Sequence, residues 1–231
     1  MGITNFAAKK LINYKSENSP AFKFRRKRAE RIKALIELCY KNYGKVDIID
    51  IGGTKLYWKI IPENFLRKNH VHITVLNLPS GKPLPSDNDL FSFREGDGCN
   101  LSRYSDESFH IAHSNSVIEH VGSWENMKNF STETRRVAKY YYLQTPNYWF
   151  PLEPHFVTPF FHWLPRRLRI KLLMNYSLGW YHKAKTRAGA ENILNHCSLL
   201  KKKQLRRLFS KGKIHKEKIL FFVKSFVVMN Q

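Results

Sequence analysis

Apolar positions along the chain follow two different periods. In residues 23–42, Ile32, Leu35, Ile36, Cys39 and Tyr40 recur at three- and four-residue spacing, with charges on the opposite face. That spacing predicts an amphipathic helix, with Gly44 as its stop. Short apolar runs then follow at Val46–Ile51, His72–Leu78, Phe91–Arg94, Phe109–Ser114 and Tyr140–Gln144. Runs this short, bounded by Gly, Pro and Asp, predict buried parallel strands. Between them, residues 81–89 (GKPLPSDND) read as loop, and Trp124–Val137 reads as helix. Residues 148–185 are aromatic, prolyl and basic, and predict an irregular cap with helices. Ser198–Phe209 predicts a capped helix, and Lys218–Met229 supplies the last one or two strands. Strand–helix alternation predicts an α/β fold whose mainly parallel sheet carries helices on both faces.

Length fits this pattern to a single domain of 231 residues. Its predicted parts are a basic helical flank (1–45), a core (46–147), a substrate-side cap (148–200) and a C-terminal helix with strands (201–231). The net charge of +22 is unevenly placed. Residues 1–45 hold 12 Lys/Arg against 3 Glu, and residues 165–231 hold 17 against 2, whereas residues 46–164 hold 11 against 13 acids. The flanks therefore offer basic surfaces to an anionic membrane, a phosphorylated substrate or nucleic acid. No apolar run approaches the ~20 residues that span a bilayer, and the start MGITNFAAKKLINYK lacks the apolar segment of a signal peptide. The three cysteines, Cys39, Cys99 and Cys197, are far apart and form no CxxC. Neither a disulfide framework nor a metal site is expected, and the expected compartment is the cytoplasm, with peripheral contact at the membrane surface.

In an open α/β sheet, ligands bind beyond the carboxyl ends of the strands. The first strand ends in Asp50-Ile51-Gly52-Gly53, where glycines admit a sharp turn and close backbone approach. The second ends in Asn77-Leu78, a polar group placed for a ribose diol beside an apolar one for a base. The third ends in Asp97-Gly98-Cys99, where a carboxylate can accept from an exocyclic amine. A nicotinamide site would want GxGxxG, and Gly52-Gly53-Thr54-Lys55-Leu56-Tyr57 lacks that spacing.

Together VDIIDIGGT, HITVLNL and REGDGCNLSRYSDESFHIAHSNSVIEHV make residues 46–156 resemble class I S-adenosylmethionine (SAM)-dependent methyltransferases, most closely the type-11 branch. The resemblance implies a Rossmann-like, seven-stranded sheet with a small aromatic and basic cap, and SAM as cofactor. It implies that Asp50, Gly52 and Gly53 contact the methionyl part, that position 77 binds the ribose, and that Asp97, Gly98 and Cys99 bind adenine. Ser114 and Asn115 would lie beside the methionyl group and the acceptor. Two departures stand out: Asn77 replaces the usual ribose acid, and Lys55 replaces a third glycine.

Methyl transfer from a sulfonium works largely by positioning, and an oxygen nucleophile also wants a base. His120 and His155 are the candidate bases, the latter inside TPNYWFPLEPHF, which resembles a substrate-side loop of type-11 enzymes. Glu119 reads as a helix-start carboxylate. The expected reaction is O-methylation of a glycan or small hydroxylated acceptor, phosphate- or lipid-linked. Two other readings stay open: RNA or DNA methylation through Arg25–Arg28, Lys201–Lys203, Arg206 and Arg207, and an inactive methyltransferase-like fold serving as a basic binding module.

Overall fold

The computed structural model describes residues 20–230, with side chains from Arg28 onward. Residues 1–19 of the basic flank, and the side chains of Arg25 to Lys27, lie outside the described part. Helix α1 (Pro20–Tyr43) ends where Gly44, at φ +70°, returns its N–H to the Tyr40 carbonyl. Five parallel strands follow: β1 (Val46–Ile51), β2 (Val71–Asn77), β3 (Phe91–Glu95), β4 (Phe109–Asn115) and β5 (Ala138–Pro146). Short helices α2 (Lys55–Trp58) and α3 (Glu63–Lys68) join β1 to β2, and α4 (Trp124–Arg136) joins β4 to β5. The cap holds a two-residue hairpin, β6 (Leu152–Glu153) with β7 (Thr158–Pro159), then α5 (Arg166–Asn175) and α6 (Arg187–Asn195). The chain closes with α7 (Lys202–Leu208), β8 (Lys213–Ile219) and β9 (Phe222–Met229). The sheet order is β3-β2-β1-β4-β5-β9-β8, with β9 antiparallel to both of its neighbours. This is the seven-stranded, mainly parallel, Rossmann-like sheet that the resemblance implies.

Alternation along β1 sends its residues to two cores. Ile48 joins Ile32, Leu35 and Ile36 of α1 on one face, together with Ile73 and Ile111. Ile49 and Ile51 join Met127 and Phe130 of α4 and Leu205 and Leu208 of α7 on the other. The cap has a core of its own, with Phe161, Ile170, Leu173, Ala190 and Leu194 buried together. A buried clamp ties α1 to β8: Arg28 donates from Nε and Nη2 to the Glu217 carboxylate at 2.8 and 2.7 Å. This fork geometry is the strong form of an ion pair.

Three boundaries differ from expectation. Strand β8 begins at Lys213 rather than Lys218, because KIHKEKI is an edge strand whose alternating lysines mask the apolar signal. Helix α7 starts at Lys202, after Ser198 N–H is drawn to the Glu119 carbonyl (2.7 Å) and Leu200 bridges to Asn147. Helix α6, capped by Thr186 on the Gly189 N–H, carries the helical part of the cap past residue 185, inside the expected cap of 148–200.

Candidate functional site

At the carboxyl ends of β1, β2 and β3 lies a cavity of about 1020 Å³. Its walls include Gly52, Gly53 and Thr54 after β1, Asn77 and Leu78 after β2, and Gly96, Asp97, Gly98 and Cys99 after β3. Gly53 has no room for a side chain, since an added Cβ would fall on the Asp50 carboxylate. At Gly98 a Cβ would lie 2.6 Å from Ile51 Cγ2 and 2.8 Å from Phe130 Cε2. Each glycine thus lets the chain close against a buried side chain while its backbone faces the cavity.

Polar groups on this wall are held with acceptor capacity to spare. Asn77 Nδ2 donates to the Gly53 carbonyl at 3.0 Å, which leaves its Oδ1 for a hydroxyl. Asp97 Oδ1 accepts from the Cys99 N–H at 2.8 Å, which leaves Oδ2. Glu95 pairs with Asn77 across β2 and β3 and lines the same cavity, so a carboxylate stands beside the amide. The sequence alone does not single out Glu95; its place in register with Asn77 at the end of the neighbouring strand is the signal that finds it. Lys55, Lys82 and Arg94 add positive charge to the wall.

Three expected contacts move elsewhere. Asp50 is fully buried and does not line the cavity. Its oxygens accept from Trp58 Nε1 at 2.8 Å and bond His113 Nδ1 at 2.6 Å, so it props the turn from beneath. It shares the α1-side face of β1 with Ile48, two residues earlier. Ser114 is also buried and spends its hydroxyl on the Ile51 carbonyl (3.0 Å). Asn115 Oδ1 is taken by Arg28 Nη1 at 2.6 Å. In the structure these groups of Asp50, Ser114 and Asn115 support the turn and the strand ends.

His120, in the 3-10 turn Ile118–His120, stands on the cavity wall. His155 lies behind it, with the two Nε2 atoms 3.1 Å apart. The His155 Nδ1 bonds Glu153 Oε1 at 2.8 Å, and the His120 Nδ1 bonds the His196 carbonyl at 2.9 Å. The structure brings the two predicted bases together, with each Nδ1 bonded to an oxygen and the two Nε2 atoms facing each other. Burial lowers His120 from the usual histidine range. Burial also acts to lower His155, but the bonded Glu153 carboxylate outweighs it and leaves that imidazole raised. Glu119 is no exposed helix-start acid: it is fully buried, pushed up to about 7 by desolvation, and bonded through Oε2 to Thr145 Oγ1 at 2.9 Å.

On the far side of this pair lies a second cavity of about 550 Å³, lined by Glu153, His162, Arg166, Arg169 and Cys197 among others. The Arg169 Nε is buried there without a partner. Exposed aromatics of the cap, Trp149, Phe160 and Trp163, cluster beside it with ring centroids 5.3–6.1 Å apart.

No family model matches the chain, and no curated protein matches it. Solved structures do. The PH0226 protein of Pyrococcus horikoshii OT3 aligns over 97% of this chain and 97% of its own, at 14% identity and a TM-score of 0.50. A SAM-dependent methyltransferase of Methanosarcina mazei aligns over 80% and 91%, at 16% identity and 0.49. The magnesium protoporphyrin IX methyltransferase of Synechocystis, solved with bound S-adenosylhomocysteine, aligns over 99% and 88%, at 9% identity and 0.49. At these identities the likeness is one of fold, and the fold is the Rossmann-like type with a seven-stranded, mainly parallel sheet.

Proposed function

We propose that the protein transfers a methyl group from SAM to an oxygen of a glycan or small hydroxylated acceptor that carries an anionic group. One observation carries the reading: three adjacent parallel strands end in one cavity wall of glycine backbone, spare amide oxygen and spare carboxylate oxygen. That set suits the three parts of SAM in order. Backbone at Gly52 and Gly53 would flank the methionyl chain. Asn77 Oδ1 and the Glu95 carboxylate would accept from the ribose hydroxyls, so Glu95 supplies the charge that Asn77 lacks. Asp97 Oδ2 would accept from the adenine amine, with Gly98 and Cys99 beside the ring and Leu78 packed on it. The chemistry SAM supplies when bound is an activated methyl group; the chain's part is to hold the reacting atoms in line.

His120 on the cavity wall and His155 behind it form the acceptor side. The unpartnered Arg169 guanidinium nitrogen, with Arg166 nearby, favours a phosphate or carboxylate on the acceptor. A further observation favours work at an anionic membrane surface. The β8–β9 hairpin tip presents Leu220 at 84%, Phe221 at 93% and Phe222 at 53% exposure, with Lys216, Lys218 and Lys224 in the adjoining strands. An apolar tip among cations suits insertion between anionic lipid headgroups. Among the described residues no helix is long and apolar enough to cross a membrane.

The test is transfer of labelled methyl from SAM to matched acceptors with and without a phosphate. Label in a base-stable ether, greater with the phosphate, is the expected result. Label in RNA, or none in any acceptor despite SAM binding, would overturn the acceptor assignment.

A further inference from the structure

His120, His155 and Cys197 bring one donor atom each to a common point, with all three atoms within 4.8 Å of one another. They come from three separate segments: the turn after β4, the cap after β6, and the link between α6 and α7. The positions of the protons follow from the partners. A carboxylate and a carbonyl oxygen only accept, so His155 Nδ1 donates to Glu153 and His120 Nδ1 donates to the His196 carbonyl. Each neutral ring is then left with its lone pair on Nε2, and the two Nε2 atoms face each other at 3.1 Å. Two lone pairs at that distance repel unless a cation joins them, either a proton or a metal ion.

The third donor favours the metal. Cys197 Sγ lies 3.9 Å from His155 Nε2 and 3.4 Å from its Nδ1. Tetrahedral zinc, with Zn–N near 2.0–2.1 Å and Zn–S near 2.3 Å, sets its ligand atoms about 3.3 Å (N to N) and about 3.6 Å (N to S) apart. The two nitrogens already stand near the first spacing; the thiol, which lies nearer Nδ1 than Nε2, reaches the second by turning about its Cα–Cβ bond to the Nε2 side. A proton shared by two imidazoles has no use for a thiol. The outer partners also match: a carboxylate on one Nδ1–H and a backbone carbonyl on the other are the groups that orient metal-bound histidines. Glu119, the residue before His120, is buried with its Oε1 unpartnered.

We propose that His120 Nε2, His155 Nε2 and Cys197 Sγ bind one divalent transition ion, with zinc the best match, and leave a fourth position for the acceptor oxygen. The proposal departs from the expectation of no metal site. The chemical role rests on the methyltransferase reading. An acceptor hydroxyl bound to the ion loses its proton to solvent and is held as an alkoxide equivalent. It attacks the methyl carbon; the C–O bond forms, the C–S bond breaks, and that electron pair returns to sulfur. The ion changes neither charge nor oxidation state.

The experiment uses the untagged full chain. Metal content is measured as purified, and the chelator-stripped protein is titrated with Co²⁺. The expected result is one equivalent of metal and a thiolate-to-cobalt absorption band in the near ultraviolet. Cys197→Ser should lose that band, and His155→Asn should weaken binding at least about 10-fold, while the exposed His182→Ala changes neither. Circular dichroism on each variant separates lost folding from lost ligation, and SAM calorimetry runs on the same samples. Absence of binding tighter than about 10 μM by the folded wild type, or a cobalt spectrum unchanged in Cys197→Ser, overturns the metal site. Loss of the methyltransferase reading shows separately, as failure to bind SAM.

Discussion

The two halves of the candidate site are built in opposite ways. The glycine wall takes each part from a turn directly after a strand: Gly52–Gly53, Asn77–Leu78 and Gly96–Cys99. Within each turn its residues are adjacent in sequence, and each turn is fixed by the strand it follows. The His120–His155–Cys197 group is made of side chains 35 and 42 residues apart along the chain. It depends on the cap, with its own small core, being seated against the sheet. A wall of the first kind is inherited with the fold; a cluster of the second kind has to be assembled by packing.

The comparison breaks most severely at Asp50, which belongs to the wall by sequence but to the core by position. Asp50→Ala strips the acceptor from two buried groups, Trp58 Nε1 and His113 Nδ1. The expected loss is about 3–5 kcal/mol of stability in urea denaturation. A variant that loses only SAM affinity, with stability intact, would return Asp50 to the cofactor. Asp97→Ala is the opposite case, since Asp97 is exposed and carries a spare oxygen. It should lower SAM affinity about 10- to 100-fold, the usual worth of a charged hydrogen bond, with the melting temperature nearly unchanged. Gly98→Ala falls between them. Its methyl must displace both Ile51 and Phe130, costing about 1–3 kcal/mol of stability and weakening SAM binding together.

Acid sensitivity sharpens the same contrast outside the site. Burial acts to raise Glu217, but the charge of Arg28 and its hydrogen bonds outweigh that and hold the carboxyl below its usual range. A group depressed in the folded state contributes stability above its unfolded pKa, about 4.3, and loses it as pH falls through the folded value. Wild type should therefore lose more stability on acidification from about pH 5 downward than Glu217→Gln does, read from thermal melts. The smallest expected change in stability, within about 0.5 kcal/mol, is that of Leu220→Asp with Phe221→Asp at the hairpin tip. That double variant should nonetheless lose sedimentation with phosphatidylserine vesicles, and unchanged sedimentation would exclude the tip as a membrane contact.

How far the sequence could be read follows from the same division. Strands β1 to β5 were legible because short apolar runs between turn residues leave few alternatives, and the wall was legible because strand ends face one side of such a sheet. Asp50 was not, because its burial depends on Trp58 and His113, which fold over it from α2 and β4. Asn115 was not, because Arg28 reaches it from α1, 87 residues away in sequence. Strand β8 was hidden by its lysines. The cysteine-histidine cluster left no spacing pattern at all, since its three members meet only when the cap closes on the turn after β4.

The central claim is that the glycine wall holds SAM, and calorimetry of SAM binding tests it most directly on wild type, Asp97→Ala and Glu95→Gln. Micromolar binding by wild type, weakened in both variants while their melting temperatures hold, is the expected result. No binding by folded wild type, or equal affinity in all three proteins, would contradict it.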